Sequence, residues 1–340
     1  MKGAGTFAAA DVDLVATARA ADAADAADAG AAPAAGEPSA ARVREGYRRA
    51  RVLTRSHART FHFASWALGG PRRRAALALY AFCRRLDDLV DGPDAAAHDD
   101  LPARLARAHA LVSAACARRW PDAVVPAPFD ADETAALRDA VRRFAIPEAP
   151  FHDLIAGCEM DLTVRRYADF AALDLYCYRV AGTVGLLMTP ILGYTDAAAL
   201  APAADLGRAM QLTNILRDVA EDLDRDRIYL PQDELAAAGI DEARLRAGAV
   251  DERWRRFMHA QVARARACYR RGAAGIPLLA TFRSRLTVAL MATVYGDILR
   301  ALERQDLDPF AGRARVSGRR KLALLPTAVR LARRSATAGR

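Results

Sequence analysis

QLTNILRDVAEDLDRDRIYLP (residues 211–231) and YAFCRRLDDLVD (80–91) decide how this chain is read. Residues three and four apart on a helix share a face. The first segment therefore sets Gln211, Asn214, Asp218 and Asp222 in one polar stripe, and the second does the same for Tyr80, Arg84, Asp87, Asp88 and Asp91. Like charges at i, i+4 destabilise a helix by roughly 0.2–0.5 kcal/mol per pair, and Asp is a mediocre helix former, so each stripe calls for a compensating partner. Carboxylates without His or Cys beside them are hard oxygen ligands, which suits Mg²⁺, with Mn²⁺ as second choice, rather than zinc. One such stripe alone is as readily a solvated outer face. Both of these are framed by Leu, Ile and Val (Leu77, Leu86, Leu89 and Val90; Leu212, Ile215, Leu216 and Val219), as expected of helices packed into a core.

Elsewhere the chain keeps apolar residues at three- and four-residue spacing, is rich in Ala and rarely runs Val and Ile together, which predicts an all-α protein without strands. Its 340 residues suffice for one large domain or two modest ones. Residues 1–40 contain AADAADAADAG and AAPAAGEP, a low-complexity run without large apolar side chains, expected to be disordered or a frayed helix. That tract is net acidic and has no apolar h-region, so it does not read as a targeting peptide, and a cytoplasmic location is expected. Residues 41–325 form the helical body and 326–340 a basic tail.

The net charge of +9 is matched by the nine Lys and Arg between Arg313 and Arg340, where no acid occurs. The rest is near neutral, so nucleic acid is not an expected partner. In the tail Leu322, Leu324, Leu325, Val329 and Leu331 alternate with Arg330, Arg333 and Arg334, a pattern of either an amphipathic segment on anionic lipid or a solvated tail. No stretch reaches the roughly 20 apolar residues of a spanning helix. The longest candidate, Val180 to Gly193, is cut by Gly182, Gly185 and Pro190, so any membrane contact is expected to be peripheral, at the inner face. Five scattered cysteines without CxxC spacing read as reduced thiols, and six histidines without HxxxH argue against a zinc site.

Between the acidic stripes lies DLYCYRVAGTVGLLMTPILG (174–193). Glycine inside a helix costs about 1 kcal/mol against alanine, so Gly182 and Gly185 beside Ala181 imply either close helix packing or a tunnel wall where a long apolar chain meets bare backbone. Tyr176 and Tyr178 offer aromatic faces suited to a carbocation, or are ordinary core residues. These features compose one chemistry. A metal holds a diphosphate, an apolar interior holds the attached hydrocarbon, departure of the diphosphate leaves an allylic cation, and a dry cavity protects it from water. Arg84, Arg217, Arg227, Arg313 and Lys321 are the charges placed around the phosphate.

Taken in order, HARTFHFAS (57–65), YAFCRRLDDLVD, YCYRVAGTVG (176–185), the 211–231 segment and RARVSGRRK (313–321) resemble the head-to-head prenyl synthases, the squalene and phytoene synthase family, over about residues 45 to 325. The resemblance implies an isoprenoid synthase fold around a central cavity, with Mg²⁺ on Asp87, Asp91, Asp218 and Asp222 and with Asn214 beside it. It implies a diphosphate region of Tyr80, Arg84, Gln211, Asn214, Arg217, Arg313 and Lys321, and prenyl sites at His57, Phe61, Tyr176, Val180, Ala181, Gly185 and Tyr295. The expected catalytic set is the four aspartates with Tyr176 and Arg84. The implied reaction joins two prenyl diphosphates through a cyclopropylcarbinyl diphosphate. Ser65, where some C30 members carry an aromatic, leans towards a deeper cavity and hence phytoene from two geranylgeranyl diphosphates. AGTVGLLMTPIL also resembles dehydrosqualene-forming members, so dehydrosqualene or squalene from farnesyl diphosphate is the alternative. No GxGxxG follows a predicted strand, so no dinucleotide fold is present, which does not by itself exclude NADPH; NADPH is not expected because the phytoene reading ends in proton loss. A chain-elongating synthase or cyclase would show a second DDxxD or an NDxxSxxxE, not NILRDVAED. An inactive homologue acting as a membrane or assembly partner is the reading of another class, and the four intact aspartates oppose it. The oligomeric state stays open.

Overall fold

A computed structural model describes residues 37–91, 101–117 and 128–334; most of the low-complexity N-terminal tract and the last six residues lie outside the described residues. Side chains in the flanking turns fix where many helices begin. Ser39, Asp130, Asp169, Asp251 and Thr281 each accept a bond from a first-turn N–H, worth about 1 kcal/mol per cap. They open α1 (Ala40–His57), α5 (Ala131–Phe144), α7 (Phe170–Cys177), α13 (Glu252–Ala273) and α14 (Phe282–Arg304). The others in the body are α2 (Arg59–Ala64) with a 3₁₀ turn at Ser65–Ala67, α3 (Gly70–Asp91), α4 (Leu101–Cys116), α6 (Ala149–Thr163), α8 (Thr183–Leu192), α9 (Leu200–Arg217) and α10 (Val219–Asp224). Short α11 (Gln232–Ala237) and α12 (Glu242–Arg246) follow, and α15 (Gly318–Ala323) and α16 (Leu325–Ala332) close the chain. Among the described residues there is no strand, only two isolated bridges, in keeping with the all-α expectation.

Apolar side chains gather into two main cores. One holds Leu212 and Ile215 of α9 with Trp254 and Met258 of α13 and Leu299 of α14. The other holds Leu79 and Leu86 of α3 with Leu137 of α5, Phe151 and Ile155 of α6 and Ile191 of α8. Between them α7 runs through a π-helical turn at Tyr178–Gly182 into α8, so Phe170–Leu192 is one helix. By length and composition it is apolar enough to cross a membrane, contrary to the expectation that Gly182, Gly185 and Pro190 would break the run. Instead it packs inside the bundle against α6 and α9. The glycines permit this. A Cβ on Gly185 would lie 2.2 Å from the Ala203 carbonyl oxygen, and one on Gly207 2.1 Å from that of Ala181. Close helix packing is thus one reason for the glycine-rich sequence.

Both expected segment boundaries shift. The 1–40 tract is tied down at its end, because Glu37 accepts two bonds from the buried Arg138, at 2.8 and 2.5 Å, and Ser39 caps α1. The tail expected from residue 326 is mostly part of the bundle. Ala328 and Ala332 of α16 are fully buried against α14, together with Ala64 and Ile276, and Leu325 and Leu331 pack on the same cluster. Of the apolar residues read as a lipid-binding stripe, Leu324 is buried and Leu325, Val329 and Leu331 are partly covered, whereas Leu322 stays 59% exposed. All five cysteines are free thiols, as expected.

The α8–α9 crossing yields a stability test. Gly207→Ala forces a methyl against the Ala181 backbone, and overpacking of this kind costs roughly 1–3 kcal/mol. Thermal melts should place this variant several degrees below wild type, whereas Gly296→Ala, where a Cβ meets nothing within 4 Å, should not melt lower.

Candidate functional site

A cavity of about 320 Å³ lies between the two cores. Its walls are Leu79, Tyr80 and Cys83 of α3; Val180 and Ala181 of the π turn with Val184, Gly185 and Met188 of α8; Leu206, Gly207 and Met210 of α9; and Val288, Met291 and Tyr295 of α14. Phe61 closes one side and stacks on Tyr80, ring centroids 5.7 Å apart. Of the expected prenyl-site residues, Phe61, Val180, Ala181, Gly185 and Tyr295 face this space, and Tyr80 joins them.

Three expectations fail here. His57 is exposed in the last turn of α1, its Nδ1 2.8 Å from Ser56 Oγ, and does not line the cavity. Tyr176 is buried behind the wall, stacked on Tyr229 at 5.0 Å, and its hydroxyl donates to Asp161 at 3.0 Å, so it presents no face to the cavity. Ser65 is fully buried, donating to the His62 carbonyl at 2.8 Å and accepting from Arg73 at 3.3 Å. Its small size therefore does not set the depth of the cavity. Tyr178, the other aromatic of that segment, lies under the Arg208 guanidinium at 4.8 Å.

Two tyrosines of the cavity wall are linked electrostatically to the two acidic motifs, one to each. Tyr80 feels the charges of Arg84 and Asp87 and neighbours Tyr295; Tyr295 in turn feels Arg217, Arg313 and Asp218. Burial pushes the Tyr80 hydroxyl up to about 12. The second motif keeps its spacing although the helix breaks in it. α9 ends at Arg217, yet Asp218 N–H still bonds Asn214 O (2.8 Å) and Asp222 N–H bonds Asp218 O (2.9 Å), so the stripe of Gln211, Asn214, Asp218 and Asp222 survives. Asn214 donates to Gln211 at 3.4 Å. Asp218 accepts two bonds from Arg217, at 2.7 and 2.5 Å, and one from Arg313 at 2.9 Å. In the first motif Arg84 donates to Asp88 at 2.5 Å, while its buried Nε has no hydrogen-bond partner. Asp87 is exposed near the end of α3, and the Asp91 side chain lies outside the described residues. Lys321 donates to Thr60 Oγ1 at 2.8 Å, burial lowering its pKa. Its helix α15 is pinned by the bidentate pair of Arg320 with the buried Asp297, at 2.9 and 2.7 Å.

Behind the second motif lies a residue that the sequence reading missed. Asp161 of α6 accepts from Tyr176 (3.0 Å) and from Tyr229 (2.8 Å). Arg227, expected at the phosphate, is buried here instead and donates to the Asp161 carbonyl at 3.3 Å. Burial first, then the charge of Asp218, and in smaller part that of Asp161, push the Asp222 carboxyl up to about 7. The only trace in sequence is that Asp161, with Glu159, is an acid in the otherwise apolar LIAGCEMDL (154–162) and belongs to no stripe.

Among the described residues no three His, Cys, Asp or Glu side chains already converge closely enough to hold an ion. The donor set nonetheless fits a hard divalent cation. It consists of carboxylate and amide oxygens, burial and then the charge of Asp218 raise the pKa of Asp222, and the orphaned N–H of Arg84 suits an anionic oxygen beside it.

An all-helical bundle around an apolar cavity with acidic and arginine-bearing helices beside it defines an isoprenoid synthase, and solved structures agree. A dehydrosqualene synthase in complex with ligand superposes with a TM-score of 0.75 at 28% identity, over 84% of this chain and 96% of that one. The squalene synthase HpnC from Alicyclobacillus acidocaldarius does so at 0.66 and 28%, over 80% and 98%. Residues 54–320 match the squalene/phytoene synthase family model. The chain is 42% identical to phytoene synthase 2, chloroplastic, of Solanum lycopersicum over 84% of its own length and 90% of that protein. It is 39% identical to the 15-cis-phytoene synthase of Synechococcus elongatus, over 87% and 96%. The chain belongs to the squalene/phytoene synthase family, whose members are prenyltransferases of a class that generally uses divalent metals.

Asp222 supplies a pH test. The folded protein keeps this proton up to about pH 7, whereas an unfolded Asp releases it near about 3.9. Between those values the native state binds more protons, so metal-free protein should lose stability as pH rises. Asp222→Asn should flatten that slope, and so should a saturating divalent cation, which holds the carboxylate ionised. Melting curves with chelator and with metal across that range check both; an unchanged slope in Asp222→Asn would refute the assignment.

Proposed function

We propose that this chain condenses two geranylgeranyl diphosphates head to head to give phytoene, with Mg²⁺ as its metal and without NADPH. The observation that supports the reading is an apolar cavity whose wall holds Tyr80, which feels Arg84 and Asp87 of the first motif, and Tyr295, which feels Arg217 and Asp218 of the second. The C40 product is supported by relatives near 40% identity that are phytoene synthases, not by Ser65. Asp87, Asp91, Asp218 and Asp222, with Asn214 adjacent, are the residues that would hold Mg²⁺, which supplies charge neutralisation to the departing diphosphate. Arg217 and Arg313, gathered on Asp218, and Arg84, with its spare N–H, bind diphosphate oxygens. Lys321 at Thr60 adds a fourth positive charge. The apolar walls orient the two chains and exclude water from the allylic cation. Tyr80 and Tyr295, in the cavity wall, provide the aromatic faces that Tyr176 does not. Asp161 takes the hydroxyls of Tyr176 and Tyr229 and so positions the second motif from behind. In all, two substrates lose two diphosphates and two protons. The protein is cytoplasmic in this reading and peripheral to the membrane.

Purified protein given Mg²⁺ and geranylgeranyl diphosphate should produce phytoene at a rate that NADPH does not change. Squalene appearing only with NADPH and farnesyl diphosphate, or dehydrosqualene as the main product without it, would overturn the chain length. Asp218→Asn and Asp222→Asn should each lower kcat by more than about a hundredfold, beyond what outer-shell partners of a metal cost, with circular dichroism unchanged. Near wild-type turnover of either variant at limiting Mg²⁺ would remove the metal assignment.

A further inference from the structure

Among the described residues Trp66 is the most exposed large apolar side chain, at 65%, and Phe63 beside it is 42% exposed. Both sit on the knuckle formed by α2 and its 3₁₀ turn. The inner side of that knuckle is anchored. Ala64 is buried against Ile276 and Leu290 and against Ala328 and Ala332 of α16. Ile276, with Val288 and Met291, also belongs to the wall of the large cavity. A thin layer of side chains thus separates the hydrocarbon space from an outer surface tipped with two aromatics.

The charge around that surface is of one sign. Arg73 lies over the Trp66 ring at 4.9 Å. Arg73, Arg51 and Arg55 are the charged groups felt by His62 of the same helix, with no carboxylate among them, and Arg51 and Arg55 are exposed. On the far side, the Arg283 guanidinium reaches Gly69, and the neighbouring Phe282 is 43% exposed. Tryptophan and phenylalanine ringed by arginine match the boundary between anionic headgroups and acyl chains. The basic tail offers less of a match among its described residues, since α16 packs its apolar face on the bundle and only the aliphatic Leu322 of α15 stands well exposed, at 59%.

We propose that the α2 knuckle, with Phe63 and Trp66 at its tip and Arg51, Arg55 and Arg73 around it, docks on an anionic phospholipid surface. A chain carrying C20 substrates and a C40 hydrocarbon exchanges both with lipid more readily than with water, so this surface deepens the proposed function and rests on it for its purpose. Binding to vesicles without substrate does not depend on the reaction, so the two readings fail separately.

The test is co-sedimentation with vesicles of phosphatidylcholine containing about 30% phosphatidylglycerol. Wild type should partition to them and be released by salt. Phe63→Ser with Trp66→Ser should weaken partition about tenfold or more, and Arg51→Gln with Arg55→Gln several-fold. Leu175→Ser, also at an exposed position, should bind as wild type. Trp66→Phe should keep binding but lose the quenching of tryptophan emission by brominated lipid, which a purely structural Trp66 would not show. Turnover in detergent should survive Phe63→Ser/Trp66→Ser. Equal partition of that double variant and wild type, no binding of wild type, or loss of binding only on Arg330→Gln with Arg333→Gln would each overturn the proposal.

Discussion

The backbone-to-backbone contact between the π turn with α8 and the helix α9 sets the rest of the site. At Gly185 and Gly207 no side chain intervenes, so each helix meets the carbonyls of the other. That contact has two effects at once. It closes one wall of the cavity with bare backbone, along which a flat hydrocarbon can lie, and it fixes the axis of α9, whose far end leads through Asn214 to Asp218 and Asp222. Close packing explains Gly185 directly, since a methyl there would meet the Ala203 backbone, and the same residue borders the cavity.

Electrostatics at the two motifs follow from crowding acids in a partly buried place. Asp218 and Asp88 are balanced by Arg217, Arg313 and Arg84, whereas Asp222, between Asp218 and Asp161, is left with a raised pKa. This is an unfavourable arrangement of charge of the kind that a divalent cation would relieve. The same logic explains why the aromatic cluster of Tyr167, Tyr176 and Tyr229 lies behind the acids. Its hydroxyls give Asp161 two hydrogen bonds in a setting with little water.

Sequence periodicity made the helices carrying the acidic stripes legible, because a stripe four residues apart is a local property that no partner is needed to read. The same holds for the all-α class and for the apolar character of the 174–193 segment. Where reading failed, long-range contacts made the difference. Tyr176 looked like a cavity residue by its place near Val180 and Ala181, but those two lie in the π turn, where the helical repeat changes, while Tyr176 precedes it and is buried with its hydroxyl on Asp161. His57 and Ser65 precede and follow the lining residue Phe61 without sharing its face. The α16 stripe was correctly seen as amphipathic; what its apolar side covers is settled by α14, some thirty residues earlier in the chain.

The sequence by itself determined the helical class, the two oxygen-ligand motifs and the family, since each depends on residue type at fixed short spacing. Only the tertiary structure decided which aromatics face the cavity, that Asp161 takes the hydroxyls of Tyr176 and Tyr229, and that the helix Leu325–Ala332 packs on the body. Those outcomes depend on which faces of sequence-distant helices meet, and close backbone approach and burial fix that choice where local spacing does not.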